Sequence, residues 1–231
     1  MKVELVTKTQ GVGKYKELSS EEIISAIARH GTIKEDNGRL VKYLMDHKHW
    51  SPLEFLNFTF EIETSRAIGR QMLRHRSMSG IQEWSQRYSE SAMFEDFELR
   101  KEHPTNRQSS TEEFDPVLRP FNEWAKEFWK VDGVSTSYRI KLLLLDIKTL
   151  YEEMLKAGVA KECARMILPE CTTTIMTFNG TLRTWLSFLN VRMEEHSQKE
   201  VVDIATLIGE ELESQLPNVF KQIDWRNGLF M

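Results

Sequence analysis

In the segment FLNFTFEIE, Phe58, Phe60 and Ile62 alternate with Thr59, Glu61 and Glu63, and this period of two predicts a half-buried strand. VELVT near the start reads as a short strand, and CTTTIMTF has the β-branched content of another. Elsewhere the apolar spacing is helical. Ser19 followed by Glu22 forms a capping box ahead of IISAIA, with Gly31 as the stop, and a second helix is predicted over 38–47. In RAIGRQMLRHR, Ile68, Met72 and Leu73 keep helical spacing while Arg66, Arg70 and Arg74 fall four apart on a shared face. Further helices are expected over 117–130, over 137–156 with its run LLLL, over 160–168 up to Pro169, and over 182–193 and 197–216. Residues 97–115 are polar without periodicity and read as an exposed loop. No internal repeat interrupts this order, which indicates one α+β (mixed α/β) domain over 1–231 with helix predominating.

Composition narrows the function classes. Lys plus Arg number 31 against 35 for Asp plus Glu, so the net charge of −4 gives no whole-surface attraction for nucleic acid or anionic lipid. Neither a bilayer-spanning apolar run nor a secretory signal is present, and a cytoplasmic location is expected. Cys163 and Cys171 fit neither a disulfide framework nor a paired metal-ligand spacing, and both read as incidental thiols. His47 and His49 have no third ligand at an informative spacing, so no metal is expected.

One stretch breaks the apolar rhythm. Residues 74–90 read RHRSMSGIQEWSQRYSE, and a helix continued through Arg76 would put Arg74 and Arg76 about 200° apart around its axis. A break is therefore required, and Gly80 with its preceding serines supplies it. EWSQRYS then alternates like a strand, with Glu83, Ser85, Arg87 and Ser89 on one side. Hydroxyls and guanidinium groups at that period suit a phosphate or a planar polar ligand, because guanidinium offers paired donors in a fixed fork. The bland alternative is a set of surface ion pairs worth about 0–1 kcal/mol each. A third reading is a nucleic-acid surface built from Arg66, Arg70, Arg74, Arg76 and Arg87 with Trp84 and Tyr88, which would show salt-dependent polymer affinity.

RHR followed after a short spacer by S-x-R-Y-S resembles the signature of the flavin-dependent thymidylate synthases. HKHWSPLEFLNFTFEI resembles that family's H-x-[ST]-P-x-E-H stretch and the strand after it, VAKECARMILP its V-x-x-E-x-A-R-x-x-L-P segment, and LRTWLSFLNVRMEEHSQKEV its following helix pair. The likeness covers residues 40–90 and 150–205. Four departures stand out. Eight residues separate Arg76 from Ser85 where the common motif has seven, and Phe55 stands where histidine is frequent; Thr181 and Ser187 occupy frequent asparagine positions.

The resemblance implies a helix-rich shell around a mainly antiparallel sheet, and reductive methylation of dUMP to dTMP. In that reaction 5,10-methylenetetrahydrofolate gives the carbon and NADPH reduces bound FAD. It further implies a homotetramer with shared sites, and no nucleic-acid or membrane partner. Alignment to the family places Gln71, Arg74, Glu83, Ser85, Gln86, Arg87, Arg165 and Arg192 around dUMP, with Arg87 and Arg165 suited to its phosphate. It places Ser51, Arg74, His75, Arg76, Glu83, Thr181, Arg183 and Ser187 around FAD, on a scaffold without the G-x-G-x-x-G fingerprint. Arg192 is the principal catalytic candidate, joined by Ser85 and by His49 near flavin and folate. A guanidinium at the uracil edge would stabilise developing negative charge. Spacing alone would instead pair Arg192 with Glu195 or His196. A family member that has lost activity, still binding dUMP, is the remaining alternative.

Overall fold

A computed structural model describes residues 1–34, 38–88, 92–107, 109–118 and 133–228. The chain forms two compact units, one made of Met1–Glu83 with Thr174–Met231 and the other of Trp84–Thr173.

The first unit is built on four strands, β1 (Lys2–Lys8), β2 (Asn57–Ser65), β3 (Gly80–Glu83) and a long C-terminal strand (Thr173–Thr181) labelled β8. Their order across the sheet is β1-β2-β8-β3. β1 runs antiparallel to β2, and β3 antiparallel to β8. Leu182 N donates to Leu56 O at 2.8 Å while the Asn179 amide donates to Thr59 Oγ1 at 2.8 Å, so the central pair is antiparallel too. The expected alternation is realised: Phe58, Phe60 and Ile62 are buried on β2, and Met176 and Phe178 on β8.

Helices bury that face. They are α1 (Ser20–Ala28), α2 (Arg39–Asp46), α3 (Arg66–Met72), and, beyond the second unit, α6 (Leu182–Arg192), α7 (Lys199–Gln215) and α8 (Pro217–Phe220). On α7, Val201, Ile204, Ala205, Ile208 and Leu212 form the buried stripe, at the three- and four-residue spacing a helix requires. Trp185 of α6 lies edge-on to Phe60 with ring centroids 4.9 Å apart, and its indole N–H donates to Phe58 O at 3.0 Å. The capping box forms as expected, Ser19 N donating to Glu22 Oε2 at 2.8 Å and Glu22 N to Ser19 Oγ at 3.3 Å. Gly69 lets α3 lie close on the sheet, since a Cβ there would come within 2.6 Å of Met176 Sδ.

The second unit holds the hairpin β4 (Arg100–Glu102) with β5 (Ser110–Glu113), the short pair β6 (Val117–Leu118) and β7 (Val134–Ser135), the helix α4 (Thr136–Lys156), and α5 (Lys161–Ala164) leading into a 3-10 turn at Arg165–Ile167. Ser137 N donates to Asp115 Oδ1 at 2.9 Å and Ser135 Oγ to Asp115 Oδ2 at 2.6 Å, which caps α4. The 97–115 stretch is thus a polar hairpin rather than a loop. Arg100 Nε donates to Ser110 Oγ across it, and His103 Nδ1 accepts from the main chain of Thr105 and Asn106 at its tip. The helix expected over 117–130 lies outside the described residues except Val117 and Leu118, which form strand. The architecture is mixed α+β with antiparallel sheets.

Candidate functional site

α3 stops earlier than its apolar spacing predicts. Arg74 N donates to Gln71 O at 3.2 Å and His75 N to Met72 O at 2.9 Å, three-residue bonds that tighten the helix end. Arg74 therefore leaves the face shared by Arg66 and Arg70. Arg74 and Arg76 are exposed, and neither side chain has a hydrogen bond or ion pair among the described residues. Between them, His75 turns inward. Its ring lies edge-on to Phe188 of α6 at 5.6 Å. Burial lowers its proton affinity first and nearby Arg192 second, while a hydrogen bond with the Thr184 main chain works the other way.

Arg192, the last residue of α6, does not pair with Glu195 or His196. Its Nη2 donates to Gln71 O at 3.1 Å, across to the C-terminal turn of α3. Burial pulls its affinity for the proton down, opposed by the charge of Glu194. Its Nε is buried without a hydrogen-bond partner among the described residues, as is Nε2 of His75. The Gln71 side chain donates to Gln198 at the start of α7.

Around this centre the other cations are compensated. Arg66 meets the Glu83 carboxylate at 3.2 Å, and Thr174 Oγ1 donates to the same oxygen at 3.0 Å. Arg183 pairs with Glu54 and lies over the Trp50 ring at 5.7 Å, beside the 3-10 turn Ser51–Phe55 that carries exposed Ser51. Thr181 caps α6 by accepting from Thr184 N at 3.2 Å, and Ser187 is half-buried one turn before Val191. His49 is exposed, its ring 6.3 Å from that of His47, which is stacked on Tyr43. Among the described residues no group of three or more His, Cys, Asp or Glu side chains could hold a metal ion.

In the second unit, the strand expected for EWSQRYS is not formed. β3 ends at Glu83, and Ser85 begins a turn: Arg87 N donates to Ser85 Oγ at 3.3 Å and Tyr88 N to Ser85 O at 3.1 Å. The serine hydroxyl takes a main-chain donor that a strand ladder would otherwise use. Ser89 lies outside the described residues. The turn is tied to α5, Lys161 Nζ donating to Tyr88 O at 3.3 Å and Arg87 meeting Glu162 at 3.6 Å. Gln86 is buried. Arg165 follows Glu162 by three residues, half-buried, with no hydrogen bond or ion pair from its side chain among the described residues. Cys163 is exposed, and burial pushes the Cys171 thiol up, away from an activated thiolate.

Uncompensated cations beside tied ones, with a guanidinium fixed on a helix end, suit an anionic, ring-bearing ligand. The family model described as "Thymidylate synthase complementing protein" matches residues 8–218. The chain belongs to the flavin-dependent thymidylate synthase family. It is 34% identical over 224 residues to the flavin-dependent thymidylate synthase of Synechocystis, covering 95% of this chain and 97% of that one. It is also 34% identical over 220 residues to a probable flavin-dependent thymidylate synthase of Paramecium bursaria Chlorella virus 1, covering 90% and 92%. A relative from Dictyostelium discoideum is 33% identical over 183 residues, with 76% of this chain and 54% of that protein covered.

Four side chains that meet the candidate residues were not singled out by the sequence. Arg66 was visible as part of a cationic face but not as the partner of Glu83. Glu54 and Trp50 stood inside the matched HWSPLEF segment, and Gln198 inside the matched C-terminal run, with no spacing to show which side chain each would meet.

Proposed function

We propose that the protein methylates dUMP to dTMP reductively, taking carbon from 5,10-methylenetetrahydrofolate, with FAD reduced by NADPH as the hydride source. The observation that carries this reading is the pair of exposed guanidinium groups at Arg74 and Arg76, uncompensated among the described residues, at the helix end whose Gln71 carbonyl anchors the half-buried Arg192. The flavin, when bound, supplies the hydride. The chain's own residues bind, orient and stabilise charge.

Arg74, His75 and Arg76 at the end of α3, with Ser51, Glu83, Thr181, Arg183 and Ser187, form the proposed FAD site. Donors on Arg74 and Arg76 that are unpaired among the described residues fit a pyrophosphate, whereas Arg183 must first release or share Glu54. Gln71, Arg74, Glu83, Ser85, Gln86, Arg87, Arg165 and Arg192 form the proposed dUMP site. Arg165 carries a fork unpaired among the described residues for the phosphate, and Arg87 can exchange its long contact with Glu162 for the same group. Arg192 supports negative charge at the uracil edge, and His49 orients a ring or moves a proton nearby. No cysteine nucleophile is required, in keeping with the raised Cys171 thiol.

The chain acts as one functional domain, in a cytoplasmic homotetramer whose sites are shared between subunits. The apolar surface of α4 supports the oligomer: Tyr138, Leu142, Leu143, Leu145 and Leu150 are exposed and only Tyr151 is buried. No helix among the described residues is long and apolar enough to cross a membrane. Purified protein should show a flavin band near roughly 450 nm, and should oxidise NADPH in a dUMP-dependent manner and form dTMP when the folate is added. Failure to take up both FAD and dUMP at saturation would overturn the reading, while uptake without turnover would mark a binding protein.

A further inference from the structure

Two buried polar atoms without hydrogen-bond partners among the described residues lie on neighbouring side chains between α3 and α6. Phe188 and Arg192 are four residues apart and share a face of α6. The His75 ring rests edge-on against Phe188, and the Arg192 guanidinium reaches the Gln71 carbonyl one turn before His75. Ring and fork therefore occupy the same small volume. Nε2 has no partner among the described residues, and with the ring proton on Nδ1 it presents a lone pair. Arg192 Nε–H is a donor in the same state of want. Leaving such atoms unpaired in a buried place is costly, and here they are complementary in kind.

We propose that His75 is a positioning residue for Arg192: its bare Nε2 accepts from one buried water that in turn accepts the Arg192 Nε–H, and this bridge fixes the rotation of the guanidinium. The fork is then held on two sides, by Gln71 O at Nη2 and by His75 through that water at Nε, leaving its Nη1 edge for a ligand. The histidine between two ligand-facing arginines thus serves the catalytic arginine through the protein interior, in addition to its place in the proposed FAD site. The neutrality imposed by burial and by Arg192 agrees with this, because a charged imidazole would repel the guanidinium it is to hold. The role in turnover rests on the proposed thymidylate chemistry, whereas the contact itself does not.

The test uses the full chain with histidine and arginine labelled by nitrogen-15, together with the variants H75F and H75Q. H75F keeps ring volume against Phe188 and removes both nitrogens; H75Q returns an acceptor near the Nε2 position. In the wild type, His75 Nε2 should resonate as an unprotonated nitrogen, and the Arg192 Nε–H should exchange slowly with solvent. That protection should vanish in H75F and return in H75Q. In turnover at saturating FAD, H75F should lose roughly 10- to 100-fold in kcat with the KM for dUMP little changed, and H75Q should recover most of it. A protonated Nε2, an Arg192 Nε–H indifferent to H75F, or wild-type kcat in H75F would overturn the proposal. If the wild type takes up neither FAD nor dUMP, the functional reading falls, and the nitrogen-15 measurements still decide the contact.

Discussion

Arg192 Nη2 donates to the main-chain oxygen of Gln71 at 3.1 Å, so the proposed catalytic guanidinium is fastened to the C-terminal turn of α3 rather than to a carboxylate. An acceptor without formal charge holds the fork while leaving its positive charge available. The expected consequence is that charge alone will not suffice. R192K keeps a cation but loses the second donor edge, and kcat for dTMP formation should fall about 100-fold or more, as when one transition-state donor is removed. Circular dichroism and melting temperature should stay close to wild type. Turnover within about threefold of wild type would remove Arg192 from the catalytic role.

Arg74 and Arg76 carry no partner among the described residues, whereas Arg66, Arg87 and Arg183 each meet a glutamate. Replacing an unpartnered surface cation costs little folding energy, so its loss should appear in ligand affinity. R74A and R76A should each weaken FAD binding by about 10-fold or more, the worth of a charge-assisted hydrogen bond. Their affinities should also depend less steeply on salt. Flavin titration at two ionic strengths measures both effects.

His75 also gives the fold a pH dependence. Its proton affinity in the folded chain is lowered by burial and by Arg192, so below its ordinary value of 6.5 the unfolded chain takes up a proton that the folded chain resists. Stability is therefore full above pH 6.5 and declines as the pH drops from there toward the lower folded value. Urea unfolding between pH 7.5 and 5 should show that decline, and H75F should show a shallower one. An identical slope in both proteins would mean that His75 does not titrate across the folding transition.

Elements governed by local rules were legible in the sequence, and those governed by distant partners were not. The capping box at Ser19 and Glu22 and the alternation of Phe58, Phe60 and Ile62 need only neighbours, and both appear as expected. The turn at Ser85 was read as strand because period-two polarity looks the same whether the main chain ladders or bonds to its own hydroxyl. The hairpin at 100–113 escaped because a two-stranded polar ribbon has no apolar face to alternate. For the site, the motif marked Arg74, Glu83 and Arg192. Nothing in spacing could show that Arg192 bonds to Gln71 or that Glu83 receives Arg66, since those pairs are made by packing.

Glu21 is buried and accepts three hydrogen bonds, from Asn218 N at 2.7 Å, Asn218 Nδ2 at 2.8 Å and Val219 N at 2.9 Å. One carboxylate thus joins α1 to the first turn of α8. E21A would leave these donors unsatisfied at a cost of about 1–3 kcal/mol. With a shift of about 2–4 °C per kcal/mol for a chain of this size, thermal unfolding should begin several degrees lower. Since Glu21 lies on none of the elements carrying proposed ligand residues, kcat at low temperature should hold.

α4 breaks the rule that a long helix buries a stripe. Its 21 residues include the run Leu142–Leu145, yet Leu142, Leu143 and Leu145 are exposed, and Tyr151 alone is buried. Contiguous apolar surface of this kind marks an interaction face more often than a solvated one. If copies of the chain cover it, L143E and L145E together should place carboxylates in an apolar interface and lower the assembly state, as read by sedimentation. Activity should then fall with assembly and recover on raising protein concentration, because subunits that share a site lose it on separating. A double variant that stays assembled and active would show that α4 lies outside the subunit contact.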